Sequence, residues 1–277
     1  MKVKLNPRLA FGGLPDLIED AISFLREHEP HEGYLVGFSG GKDSIVTKRL
    51  VVMSGVKHEA VYSCTGIDPP EVVKFIRQNY PEVRFAFPVM TFWHGIMKKS
   101  PPGVFHRWCC DILKKQPTIK DLPHRVTGIR REESTKRAKY PRVNRFSKPR
   151  RWIHYYPILD WNEADIWEFI EGQGLAYPSL YDEGFDRLGC VVCPFRGEKQ
   201  HALWRARWPG IYHTFEVVVS RWWQMKQAQG HDMRHDNPQE YLGAWYRKDF
   251  KAFGKDPTPE EIEKRDAEWE LEEELAY

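Results

Sequence analysis

A short hydrophobic run that ends in glycines, with a helix-like segment directly after it, constrains the fold of this 277-residue sequence most. Tyr34–Phe38 predicts a buried strand, and Lys42 or Asp43 through Val52 predicts a helix. The six residues between strand and helix body are Ser39-Gly40-Gly41-Lys42-Asp43-Ser44. Glycines let the backbone turn sharply, and the first turn of a helix offers unpaired N–H groups and a partial positive charge. The sequence therefore predicts an anion-binding loop in an α/β fold.

Strand and helix patterns alternate through the first half of the chain. Apolar runs predict further strands over residues 58–64, 83–89 and 125–129, and amphipathic patterns predict helices over 15–28 and 70–80. Such alternation is typical of a parallel sheet with helices on both faces. The later sequence is rich in Trp, Arg and His, with a helix predicted over 163–173. We expect a nucleotide-binding α/β domain over residues 1–160 and a mostly helical region over 161–277.

Four of the five cysteines fall into two tight pairs, Cys109-Cys110 and Cys190-Val191-Val192-Cys193. Such pairs indicate metal or redox chemistry. Zinc sites usually separate paired ligands by two to four residues, so the adjacent pair is unusual for zinc. Four thiolates suffice to bind one iron–sulfur cluster. Zinc, or no metal, stays open as an alternative on these grounds.

The charges are distributed unevenly, although the net charge is only +3. Residues 125–151 hold eleven Lys or Arg against two Glu, and we call this segment the basic run. It could contact the phosphates of a nucleotide or of nucleic acid, or it could be a solvated loop. Residues 256–274 hold ten Asp or Glu against two basic residues, which predicts a solvated helix starting near Pro257.

No stretch of the sequence approaches the roughly 20 apolar residues that span a bilayer. The first fifteen residues lack the apolar core and cleavage site of a secretory signal. We therefore expect a cytoplasmic protein without membrane contact.

Several motifs in order resemble known families. The hexapeptide Ser39–Ser44 resembles the PP-loop of the ATP pyrophosphatases. Thr127-Gly128-Ile129-Arg130-Arg131-Glu132-Glu133-Ser134 resembles the GxRxxES motif of the sulfonucleotide (PAPS) reductase superfamily. The segments Tyr156–Trp161, Leu175–Asp182 and Leu188–Cys190 continue this likeness, which covers about residues 33 to 196.

The resemblance implies an adenine nucleotide α-hydrolase-like fold whose loop grips the pyrophosphate of ATP, bound with Mg²⁺. It implies nucleotide-binding residues at Ser39–Ser44, Gly128, Arg130 and Arg131, with catalytic roles for Lys42, Asp43 and Arg130. The cysteine pattern resembles that of the iron–sulfur sulfonucleotide reductases. This implies one [4Fe–4S] cluster on Cys109, Cys110, Cys190 and Cys193, completed by the C-terminal region.

The first functional hypothesis is an ATP-dependent sulfur-transfer enzyme, because the intact loop indicates that ATP is cleaved. In its motifs the chain is most similar to the DNA phosphorothioation sulfurtransferases. This likeness implies a nucleic-acid acceptor and a sulfur-donor protein such as a cysteine desulfurase. The basic run and the Trp-rich region fit such an acceptor, since aromatic rings stack on bases.

Two alternatives come from other classes. A reductase of adenylylsulfate or its 3′-phosphate would release sulfite, but such enzymes need a nucleophilic cysteine near the C-terminus, and the last cysteine here is Cys193. A regulator that binds nucleotide and cluster without turnover is the third hypothesis.

Overall fold

The computed structural model describes residues 13–118, 121–145 and 152–249, and these form two compact units. The first unit consists of the described residues of Met1–Phe92 and Cys109–Val191, the second of those of Trp93–Trp108 and Val192–Tyr277. The boundary expected at residue 160 stays a prediction, and the units observed here divide the chain elsewhere. The helix expected near Pro257 lies outside the described residues.

A six-stranded sheet organises the first unit, with the strand order β3-β2-β1-β4-β6-β5. Every neighbouring pair is parallel except β5 and β6, which pair antiparallel. The expected α/β class with a mainly parallel sheet is therefore confirmed. The strands are β1 (Tyr34–Gly37), β2 (His58–Ser63), β3 (Arg84–Ala86), β4 (His124–Val126), β5 (Val143–Arg145) and β6 (Ile153–Tyr155).

Helices connect the strands and cover the sheet. In α1 (Leu14–Glu27) an apolar stripe is buried, and α1 packs with α2 (Lys42–Ser54) and α6 (Glu163–Gly172). Asn162 caps α6 by accepting the N–H of Asp165, as its sequence predicts. The remaining helices of the described chain are α3 (Pro70–Asn79), α4 (Phe92–Lys98), α5 (Trp108–Cys110), α7 (Glu198–Arg207), α8 (Pro209–Ala228) and α9 (Pro238–Arg247).

Strand β1 lies at the point where the order of the sheet reverses. The chain runs from β1 through β2 to β3 on one side, and β4 then pairs with the other side of β1. In open α/β sheets, ligands bind beyond the carboxyl ends of the strands at such a switch point. The segments after β1 and β4 are the Ser39–Ser44 loop and the Gly128–Arg131 turn, so the topology brings these two motifs to one edge.

The second unit has an aromatic core. Five tryptophans that the sequence offers for base stacking are instead buried: Trp204, Trp208, Trp222, Trp223 and Trp245. The indole N–H of Trp245 donates to the carbonyl oxygen of Pro102 at 2.7 Å, which ties α9 to the segment before α5. None of the helices in the described residues has the length and apolarity needed to cross a membrane.

Candidate functional site

The loop between β1 and α2 is held in shape by its own serines. The Ser44 hydroxyl donates to the carbonyl oxygen of Gly41 at 2.8 Å and accepts the backbone N–H of Ser39 at 3.2 Å. Gly40 has a φ of 73° and sits against Val72 and Ile76 of α3, where a Cβ would clash. The backbone therefore turns tightly into α2.

Gly128 allows the turn after β4 to approach the first turn of α2. A Cβ at this position would lie 2.6 Å from the carbonyl oxygen of Asp43 and 2.7 Å from Oγ1 of Thr47. Two residues later, Arg130 is 4% exposed and donates from Nε to Oδ1 of Asp43 at 2.5 Å. Its guanidinium also pairs with Glu132. The structure thus brings together three predicted site residues: Gly128, Arg130 and Asp43.

The charge of Arg130 is held firmly in this position. Burial opposes the charge, but Asp43 and then Glu132 outweigh it, so the pKa of Arg130 lies above its ordinary value. A buried cation, paired with two carboxylates, therefore lies beside the loop at the switch point.

Lys42 makes contacts that the sequence does not reveal. Its ammonium lies 2.9 Å from Oε1 of Glu163 and donates to the carbonyl oxygen of Asp186 at 2.6 Å. Its backbone N–H donates to the Tyr181 hydroxyl at 2.9 Å, and the Tyr181 ring lies 5.1 Å from the ammonium. The hydrogen bond from Lys42 is the main reason why the pKa of Glu163 is lowered. Phosphate binding by the Lys42 side chain stays a prediction.

Arginines of the basic run mostly form ion pairs inside the first unit. Arg131 donates to Asp160 at 2.6 Å, and Arg137 pairs with Glu133. Arg142 pairs with Asp20 at 2.6 Å and lies over the ring of Phe24. Among the described residues of the basic run these arginines are paired internally, and contact of the run with a nucleotide or with nucleic acid stays a prediction. A nucleotide contact of Arg131 stays a prediction.

The cysteines are partly buried and are divided between the two units. Cys109, Cys110 and Cys190 belong to the first unit and Cys193 to the second. The pKa of Lys114 is raised mainly by Cys190, with Asp68 and Cys110 adding to the effect. Two of the predicted ligands, one from each pair, therefore influence the pKa of the same ammonium group. In the described part of the chain, no group of three or more His, Cys, Asp or Glu has the arrangement of a metal site.

Glu163, Tyr181 and Lys114 were not predicted as site residues, although Tyr181 lies in the motif segment Leu175–Asp182. Glu163 and Tyr181 lie more than a hundred residues from Lys42, and no local pattern reports a contact over that separation. Lys114 did carry a signal, because it follows Cys110 by four residues in the helical segment Asp111–Lys115 and so shares its face.

A tight loop with helix amides at the switch point of a mainly parallel sheet defines a nucleotide-binding α/β protein of the PP-loop type. Residues 33–196, more than half of the chain, match the phosphoadenosine phosphosulfate reductase domain. The chain therefore belongs to the PAPS reductase family, and the resemblance read from its motifs is confirmed.

Relatives of known sequence are distant. An uncharacterized protein of Methanocaldococcus jannaschii is 26% identical over 250 residues, which are 86% of this chain and 51% of that protein. An adenosine 5′-phosphosulfate reductase of Bacillus pumilus is 26% identical over 216 residues, 72% of this chain and 90% of the reductase. The chain spans about half the length of the M. jannaschii relatives that it matches. Among solved structures, the U34-tRNA thiolase of Methanococcus maripaludis, with its [4Fe-4S] cluster, is 15% identical with a TM-score of 0.42, covering 76% of this chain and 80% of the thiolase.

Proposed function

We propose that this protein is an ATP-dependent sulfur-transfer enzyme that adenylates an acceptor and releases pyrophosphate. The observation that carries the proposal is the intact loop at the switch point, with Gly128 close against α2 and Arg130 buried beside it. The start of α2 suits the pyrophosphate of ATP, because it lies at the positive end of a helix dipole.

The proposed chemistry has two displacements. An oxygen of the acceptor attacks the α-phosphorus of ATP, the bond to the bridging oxygen breaks, and pyrophosphate leaves with that electron pair. A sulfur nucleophile from the donor then attacks the acceptor atom that carries the adenylated oxygen, and AMP leaves. Arg130 would stabilise the charge on the phosphates, and its bond to Asp43 fixes the guanidinium for this role.

The four paired cysteines fit a [4Fe–4S] cluster in number and in donor type. Cys109, Cys110, Cys190 and Cys193 would hold it, and a bound cluster supplies a redox-active iron–sulfur centre. The influence of Cys110 and Cys190 on Lys114 supports a position of one cysteine from each pair near the same ammonium group of the first unit.

The reaction is tested by incubating the anaerobically purified protein with α-labelled ATP and candidate acceptors, and measuring AMP and pyrophosphate. Ser44→Ala removes the hydroxyl that links Gly41 to Ser39, so we expect turnover to fall at least about tenfold. Ser54→Ala is the matched control at the other end of α2, where the hydroxyl donates only to Val51. Equal turnover in both variants would contradict the loop assignment.

Iron content tests the cluster. We expect about four irons per chain in anaerobic preparations. Cys190→Ala should lower this content strongly, whereas Cys64→Ala, outside both pairs, should leave it unchanged. A colourless protein that contains zinc would show that the cluster assignment is wrong.

Adenylylsulfate reduction is the second candidate, because curated relatives carry that name. Sulfite release from adenylylsulfate with a thiol reductant, without cleavage of ATP, would favour this reaction over sulfur transfer. If the protein binds nucleotide but neither cleaves ATP nor releases sulfite from adenylylsulfate, the regulator hypothesis is favoured.

A further inference from the structure

Exposed aromatic and cationic side chains occur together in the second unit, beside both cysteine pairs in the sequence. The Arg107 guanidinium lies 4.6 Å from the centre of the Phe195 ring, and Lys248 Nζ donates to the Phe195 carbonyl oxygen at 2.6 Å. Phe195 is 44% exposed, and Phe105, two residues before Arg107, is 50% exposed. We call Phe105, Arg107, Phe195 and Lys248 the aromatic–arginine patch.

The charge of the two units differs in sign. The described residues of the second unit contain twelve Lys or Arg against six Asp or Glu, whereas those of the first contain nineteen against twenty-three. The arginines of the basic run are largely paired within the first unit. The unit with a positive surplus therefore also contains an exposed ring, Phe195, in contact with two cationic residues.

Exposed rings next to cations suit one class of partner in particular. Proteins that bind single-stranded nucleic acid combine a positive surface for the phosphates with aromatic rings on which bases stack. The tryptophans of this unit are buried in its core and cannot serve as such rings, whereas Phe195 and Phe105 can. An acidic protein would use the charge but would give no reason for the exposed rings.

We propose that the aromatic–arginine patch binds single-stranded nucleic acid through base stacking on Phe195 and phosphate contacts of Arg107 and Lys248. This inference rests on the proposed function and names its acceptor class. Residues of the patch flank Cys109 and Cys193 in the sequence.

Binding can be measured without ATP, by fluorescence anisotropy of labelled DNA and RNA strands of about 15 nucleotides on the anaerobically purified full chain. We expect salt-dependent binding, preferred over the same sequence as a duplex. Phe195→Ala should weaken it roughly tenfold, and Phe195→Tyr should restore it, because stacking needs an aromatic ring. Arg107→Ala should also weaken binding and reduce its salt dependence by about one ion.

Matched variants in the first unit complete the test. Phe87 is 63% exposed, so Phe87→Ala removes an equally accessible ring and should leave binding unchanged. The double variant Lys136→Ala/Lys139→Ala removes charge from the basic run and should have little effect. The inference is overturned if this double variant weakens binding while Phe195→Ala does not, or if single strands do not bind.

Failure of this inference and failure of the proposed function give different results. If the protein cleaves ATP with another acceptor but binds no single strand, the proposed function stands and nucleic-acid binding by the patch is wrong. If the protein binds single strands through Phe195 but never cleaves ATP, nucleic-acid binding by the patch stands and the sulfur-transfer reaction is wrong. Thermal unfolding of each variant shows whether a loss of binding reflects a loss of fold.

Discussion

Tyr181 shows how a residue outside the Ser39–Ser44 loop can hold the start of α2. Its hydroxyl accepts the first N–H of α2, and burial, as the main cause, raises the pKa of the phenol well above its ordinary value. The group is therefore neutral over the physiological range and keeps its proton. Lys42, which the sequence marks as a phosphate ligand, is buried between this ring and Glu163. Both side chains join α2 to the segment around residues 179–187.

Replacing Tyr181 by Phe should destabilise the protein, because the buried N–H of Lys42 loses its acceptor. An unsatisfied buried donor costs about 1–3 kcal/mol of unfolding free energy. Tyr177→Phe is a close control, since both rings pack edge-on against Trp167 at 5.2 Å but the Tyr177 hydroxyl bonds to exposed Asp182. Urea unfolding of the two variants measures the difference. Equal stabilities would show that the bond to Lys42 contributes nothing.

Elements with strong local patterns were predictable from the sequence, and those set by distant pairing were not. Helices α1, α2 and α3 and strands β1 and β2 lie within about two residues of their predicted bounds, because an amphipathic pattern, an apolar run or a bounding Gly or Pro marks each of them. Strand β5 was missed, since Val143–Arg145 lies in the basic run and pairs only with β6 at the sheet edge. The segment predicted over 83–89 is a strand only at Arg84–Ala86.

The same distinction applies to the site. The sequence located both motifs that meet at the switch point, because each follows a recognisable strand. It could not show that Asp43 pairs with Arg130 eighty-seven residues away, or that Arg131 and Arg142 are paired with carboxylates. Side-chain partners across a fold depend on packing geometry, which no local pattern contains.

The close contact between α2 and the turn after β4 leads to a prediction about stability and ATP affinity. Gly128→Ala would place a methyl group 2.6 Å from the carbonyl oxygen of Asp43, so the turn and the helix must separate. We expect a loss of about 1–3 kcal/mol in unfolding free energy and a marked loss of ATP affinity by calorimetry. Gly172→Ala at the end of α6 meets nothing within 4 Å, so it should not destabilise the protein and should leave ATP affinity unchanged. ATP affinity retained in Gly128→Ala would place the nucleotide elsewhere.

At the scale of the whole molecule, the two units differ in architecture and in the sign of their charge. The first unit contains the sheet, the phosphate loop and a negative surplus, and it presents its arginines mainly to its own carboxylates. The second unit has an aromatic core and a positive surplus. The Trp-rich composition that suggested stacking surfaces therefore explains the stability of the second unit, and the few exposed rings are the better candidates for binding.

Acid stability should depend on the core of this second unit. His201 is 2% exposed, its Nδ1 lies 2.8 Å from the Tyr212 hydroxyl, and its Nε2 has no hydrogen-bond partner among the described residues. Burial, followed by the charges of Arg196, Lys248 and Arg205, lowers its pKa from 6.5 to about 3. The folded protein therefore binds this proton less readily than the unfolded chain does.

This linkage fixes the sign of the pH effect. The contribution of neutral His201 is fully present above the unfolded pKa of 6.5 and is lost progressively as the pH falls toward the folded pKa of about 3. Between about pH 7 and pH 5 the loss is ~2 kcal/mol, at about 1.4 kcal/mol per unit once the unfolded imidazole is protonated. His154 adds a loss of the same sign, because its pKa is lowered to about 4 by burial, Arg125 and Lys115.

Comparison of variants separates the two histidines. His201→Phe removes the titrating group but keeps an aromatic ring against Trp245 and Tyr246, so the stability difference from the unsubstituted protein should shrink by ~2 kcal/mol between about pH 7 and pH 5. Tyr212→Phe keeps the buried imidazole and should retain the full loss. Denaturant unfolding at each pH measures both. If the difference in unfolding free energy between His201→Phe and the unsubstituted protein does not change with pH, His201 takes up its proton in the folded protein. Such protonation requires water or an acceptor to reach Nε2 inside the aromatic core.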